Sequence, residues 1–130
     1  MENLQMPPLV DSHCHLTMLD LSEFDNNVQR VIDVARINGV ERMLCVCVEP
    51  DDLPALYQLA ERYPEVSISV GIHPNTELST ELDAVELASL ARHPCCIAIG
   101  ETGLDYYRTE TEIARELQRA RFRVHIRAAL

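Results

Sequence analysis

Leu9-Val10-Asp11-Ser12-His13-Cys14-His15 is an apolar run that ends on two histidines two residues apart. On a strand, side chains i and i+2 leave the same face, so both imidazoles project together while Cys14 packs to the other side. Three further runs follow at residues 43–48, 66–72 and 96–101, all short and nearly continuous in apolarity. Such runs fit strands covered on both faces, as in a parallel sheet.

Segments with helical periodicity separate the runs. Ser22 and Asp25 have capping-box spacing ahead of a stripe of Val28, Val31, Ile32 and Ala35 that stops at Gly39. Leu53, Leu56, Leu59, Ala60 and Tyr63 form a second stripe, ended by Pro64. Thr80 with Asp83 is placed to open a third helix carrying Leu87 and Leu90, with Pro94 past its end, and a fourth runs from Thr111. Strand–helix alternation predicts an α/β fold with helices outside a parallel sheet.

An open doubly wound sheet and a barrel both satisfy this order. The barrel is favoured because His13 and His15, His73, and Glu101 stand at the C-terminal ends of three of the four runs. Barrels build their sites from several strand ends meeting at that face. The expected architecture is therefore a TIM-type (β/α) barrel. A complete one needs roughly 250 residues, so residues 1–130 are expected to hold about the first four βα units, the N-terminal half of one domain.

Composition narrows the class. Hydrophobic residues make up 47% and charged residues 25%, as in ordinary soluble domains. No apolar run is long enough to span a bilayer, and the start lacks the pattern of an export signal, so a cytoplasmic location is the default expectation. Five cysteines is an odd number, and reduced, buried thiols are expected. Neither Cys45 with Cys47 nor Cys95 with Cys96 has zinc-knuckle spacing, so none receives a ligand role. The formal net charge of −10 argues against tight, non-specific adhesion to nucleic acid. It leaves open an enzyme that holds a phosphate through bound cations.

Two imidazoles side by side suit a divalent ion. Glu101, after Ile97-Ala98-Ile99-Gly100, puts a carboxylate at the mouth of a buried strand, where it calls for a cation or a partner such as Arg108. Gly71-Ile72-His73-Pro74 ends the third run, where His73 either meets a metal-bound substrate or caps the loop. Asp105 and Tyr106 either orient their loop or touch substrate, with orientation favoured. Arg115, Arg119, Arg123 and Arg127 recur every fourth residue and read as a solvated face opposite Leu117, Val124 and Ala128. His125 reads as a packing or hydrogen-bonding residue.

Taken in order, Asp11-Ser12-His13-Cys14-His15-Leu16, Gly71-Ile72-His73-Pro74 and Gly100-Glu101-Thr102-Gly103-Leu104-Asp105-Tyr106-Tyr107 resemble the TatD family, as does the helix with Gln118, Phe122 and His125. The resemblance spans essentially the whole chain. It implies a barrel with two divalent ions (zinc, manganese or magnesium) that hydrolyses phosphodiester bonds in DNA. On that resemblance His13, His15 and Glu101 are metal ligands, with Glu101 shared by both ions. Glu101 and His73 are catalytic, and His73 and Asp105 are substrate contacts. DNA is the implied partner, as substrate.

Family members continue for another half barrel that carries two more strand-end histidines and an aspartate. The chain is accordingly expected to be an incomplete piece with uncertain activity. A dimer of half barrels would cover the exposed face but repeat the same ligands. The alternatives are a catalytically inactive half barrel, or an amidohydrolase-type enzyme acting on a small phosphoester or amide.

Overall fold

The computed structural model describes residues 7–130. Residues 1–6, part of the stretch read above for an export signal, lie outside that range. Four strands form one sheet in the order β1 (Leu9–Cys14), β2 (Val40–Cys45), β3 (Val66–Val70) and β4 (Cys96–Ile99), every neighbouring pair parallel. Helices α1 (Val28–Ile37), α2 (Leu53–Arg62) and α3 (Ala84–Leu90) connect them, and α4 (Glu112–Ala129) follows β4. Doubly wound sheets reverse their strand order at a switch point. This sheet runs straight through from β1 to β4, as consecutive units of a barrel do. The α/β expectation and its barrel form both hold.

The core lies between the sheet and α1–α3. Ile32, Leu56, Leu59 and Leu87 from the helices pack on Met43, Cys45, Val66, Ile68 and Val70 from β2 and β3. The outer strands depart from the expectation of cover on both faces. Val10 of β1 is 65% exposed and Ile97 of β4 is 66% exposed, and among the described residues each of these strands has a sheet neighbour on one side only.

Two helix starts differ from their sequence reading. Ser22–Phe24 is a separate 3-10 turn, and α1 is capped by Asn27, whose side chain accepts from Gln29 N. Asp25 and Asn26 adopt positive φ, which breaks the chain between Ser22 and the helix, so no capping box spans it. In α3 the capping box is Asp83 with Glu86, not Thr80 with Asp83. The helix starts one turn later because Asp83 offers its own carboxylate to Val85 N and Glu86 N. α4 starts where the sequence places it, with Thr111 as its cap accepting from Ala114 N.

All five cysteines are free thiols, and burial pushes Cys47 up to about 11, which makes it a poor nucleophile. No helix among the described residues is long and apolar enough to cross a membrane.

Candidate active site

His13, His15, His73 and Glu101 meet at the C-terminal ends of β1, β3 and β4. Glu101 Oε2 lies 3.5 Å from His13 Nε2 and 3.7 Å from His15 Nε2. Its other oxygen, Oε1, lies 3.7 Å from His73 Nε2. The two Nε2 atoms of His13 and His15 are 3.2 Å apart. Arg108, the alternative partner for Glu101, stays exposed and forms no ion pair with it among the described residues.

Backbone contacts place the carboxylate. Ser69, 1% exposed, donates its hydroxyl to Gly100 O at 2.6 Å and accepts from Cys47 N at 3.1 Å. Glu101 N donates to Cys47 O at 2.8 Å, and the Gly100–Glu101 peptide is cis. At Gly71 the chain approaches closely enough that a Cβ would meet Gly100 O at 2.5 Å, so only glycine fits there.

Hydrogen bonds set which nitrogen each ring offers. His15 Nδ1 faces Val46 O at 3.0 Å. A carbonyl only accepts, so Nδ1 carries the proton and the Nε2 lone pair is free for a cation. The pattern at His73 is the reverse. Asn75 N donates to His73 Nδ1 at 3.1 Å, so the neutral ring keeps its proton on Nε2, the atom facing Glu101. His73 is thereby built to donate a hydrogen bond and not to ligate through Nε2.

The donor set fits one divalent ion. Two nitrogens bound tetrahedrally at about 2.0–2.1 Å lie about 3.3 Å from each other, against the 3.2 Å found here. The three candidate ligand atoms of His13, His15 and Glu101 all lie within 4.8 Å of one another. A second ion would need more ligands than these three supply.

Asp105 does not join this cluster. Its Oδ2 accepts from Asn75 Nδ2 at 2.6 Å and its backbone N donates to Gln118 Oε1 at 2.9 Å. Gln118 Nε2 donates in turn to Asn75 Oδ1 and Thr109 Oγ1. These bonds join the loop after β3 to the loop after β4.

The sequence reading missed the residues that organise these loops. Asn75 and Arg121 received no role, and Gln118 was noted only for its family pattern. Arg121 Nη1 donates to His73 O at 2.7 Å and to Pro74 O at 3.3 Å, while the guanidinium pairs with Glu81. His125, read as a packing or hydrogen-bonding residue, is 1% exposed. It accepts from Ile72 N at Nε2 and faces Arg121 O through Nδ1. Gln118, Arg121 and His125 are spaced i, i+3, i+7 and share one helix face, a signal visible in the sequence but polar where an apolar stripe was sought. Leu117, expected to face inward, is 63% exposed. Of the arginines expected to face water, Arg123 and Arg127 are exposed, whereas Arg115 and Arg119 turn partly toward the loop after β4: Arg115 Nε donates to Thr109 O at 3.0 Å and Arg119 Nη1 to Tyr106 Oη at 3.0 Å.

Residues 10–130 match the family model described as TatD related DNase. A relative from Buchnera aphidicola (subspecies Baizongia pistaciae), named "Uncharacterized metal-dependent hydrolase", is 31% identical over 122 residues, covering 94% of this chain and 45% of its own. The Escherichia coli K12 protein YcfH, which carries the same description, is 35% identical over 109 residues, covering 83% and 41%. The chain thus spans about half the length of the curated relatives it matches. In fold, the crystal structure of the TatD homolog YJJV from Escherichia coli K12 aligns with a TM-score of 0.77 at 22% identity, covering 93% of this chain and 46% of that one. By its match over residues 10–130, the chain belongs to the TatD-related DNase family.

Proposed function

We propose that residues 1–130 are the N-terminal half of one divalent-metal-dependent hydrolase domain that cleaves phosphodiester bonds in DNA. The observation that carries this reading is the convergence of two Nε2 atoms 3.2 Å apart with one carboxylate oxygen 3.5 and 3.7 Å away. A pair of neutral imidazoles sharing a hydrogen bond explains the first distance but leaves the carboxylate unexplained; a cation explains both. The DNA substrate is drawn from the family's description and from the three ordered motifs.

In this reading His13, His15 and Glu101 would hold the metal, with Glu101 the ligand shared with a second ion. A divalent ion, when bound, would supply a Lewis acid and lower the pKa of its bound water. The chain's own groups do the rest. Glu101 neutralises cationic charge and fixes the ligand geometry. His73, with its proton on Nε2, donates to a phosphoryl oxygen and stabilises charge that grows there. Asp105 holds the loop of residues 102–109 so that substrate can pass beside it. Zinc, manganese and magnesium all accept this donor set.

The three-ligand count favours a second reading, in which these residues bind metal but do not cleave. Titration of the 130-residue chain with Mn²⁺ tests the metal centre, and Glu101→Ala is expected to lower affinity at least about tenfold. Wild-type affinity unchanged by that substitution would remove the metal reading. Single-stranded DNA with Mg²⁺ or Mn²⁺ is the assay for cleavage, run on this chain and on a barrel-length chain containing it. Activity in the longer chain alone assigns the second reading to the 130-residue piece, and inactivity of both on every DNA form rejects the nuclease.

A further inference from the structure

His73 sits on a turn that is held from behind. Its backbone oxygen accepts from Thr76 N at 3.0 Å, which closes residues 73–76 into a turn. Within that turn Asn75 N reaches back to His73 Nδ1. The turn is held from two sides: His73 N donates to Val48 O at 2.7 Å and Thr76 Oγ1 to the same oxygen at 3.3 Å, while from α4 Arg121 Nη1 grips the carbonyls of His73 and Pro74 and His125 holds Ile72 N one residue earlier. Glu81 pins the guanidinium from its far side. The Arg121 side chain is only 10% exposed.

We infer that Arg121 is a positioning residue for His73: by clamping the 73–76 turn it keeps Asn75 N on Nδ1 and so fixes the imidazole tautomer that presents Nε2–H toward Glu101. Without the clamp the turn relaxes, Nδ1 loses its donor, and the proton distributes between both nitrogens. A ring with its proton on Nδ1 would offer a lone pair where the substrate oxygen needs a donor. The inference rests on the reading of His73 as the group that meets the phosphate, but the tautomer is measurable without substrate or metal.

The test is long-range ¹H–¹⁵N spectroscopy of the histidine rings in the labelled 130-residue chain, above the ordinary histidine titration range, with His73→Gln assigning the signal. Wild type is expected to show His73 as one tautomer, protonated on Nε2. Arg121→Ala is expected to lose that single pattern, and Arg121→Lys, which keeps a donor for the two carbonyls, is expected to restore it. A folded Arg121→Ala chain with the wild-type His73 pattern would overturn the inference. If that variant does not fold, Arg121→Met, which keeps the aliphatic stem but removes every donor to the two carbonyls, takes its place; an unaltered His73 pattern there overturns the inference equally. Broadening of the His13 and His15 rings by Mn²⁺ reports on the metal reading separately, so either reading can fail alone.

Discussion

Ser69 is one hydroxyl joining three parts of the mouth, because it satisfies both Cys47 N and Gly100 O from within the core. Ser69→Ala leaves a buried donor and a buried acceptor unmade and is expected to destabilise the chain by about 1–3 kcal/mol in urea unfolding. His125 makes a second residue-scale prediction through pH. Burial holds its pKa below the usual histidine value of 6.5, so in acid the unfolded chain takes up the proton first. Stability then falls as pH drops below about 6.5 toward the folded value, and is retained above that window. Urea midpoints measured across it are expected to decline less steeply in His125→Gln than in wild type.

At the scale of elements, α1 and α4 show what sequence patterns convey and what they hide. The strand runs and the helix stripes were legible because β2, β3 and α2 bury apolar side chains at regular spacing. His13, His15 and Glu101 were legible because strand alternation and strand ends put them on one face. The start of α1 was not, since Ser22 and Asn27 are both good caps and only the backbone at Asp25 and Asn26 decides between them. Asn27→Ala is expected to cost about 1 kcal/mol in thermal or urea unfolding, and Ser22→Ala within about 0.5 kcal/mol of nothing. The inner face of α4 stayed hidden for a different reason. The two helix residues it buries most fully are Gln118 and His125, so beside the expected Val124 and Ala128, which pack on the core, much of its docking runs through hydrogen bonds to loops that no apolar period reveals.

At the scale of the molecule, the unequal cover of the four strands sets where the sheet opens. Among the described residues, β2 and β3 have partners on both sides and a packed face, while β1 and β4 each offer one side without a sheet neighbour. Free edges of this kind invite further strand pairing. Native-state hydrogen exchange is expected to be slowest at Leu44, Cys45, Ile68 and Val70, and faster by at least about tenfold along β1. Uniform protection across all four strands would show that the outer strands acquire partners in solution.

The contacts that hold the site fall mostly on main-chain atoms: the oxygens of Val46, His73, Pro74 and Gly100, and the amides of Cys47 and Ile72. Every residue type has a carbonyl, and every type but proline has an amide. In a saturation library, positions 46 and 72 should therefore accept any side chain of suitable volume, whereas 69, 121 and 125 should accept almost none. The mouth is held through a handful of donors and acceptors on the supporting elements, so residues 46 and 72, which contribute only main-chain atoms, can drift without disturbing it.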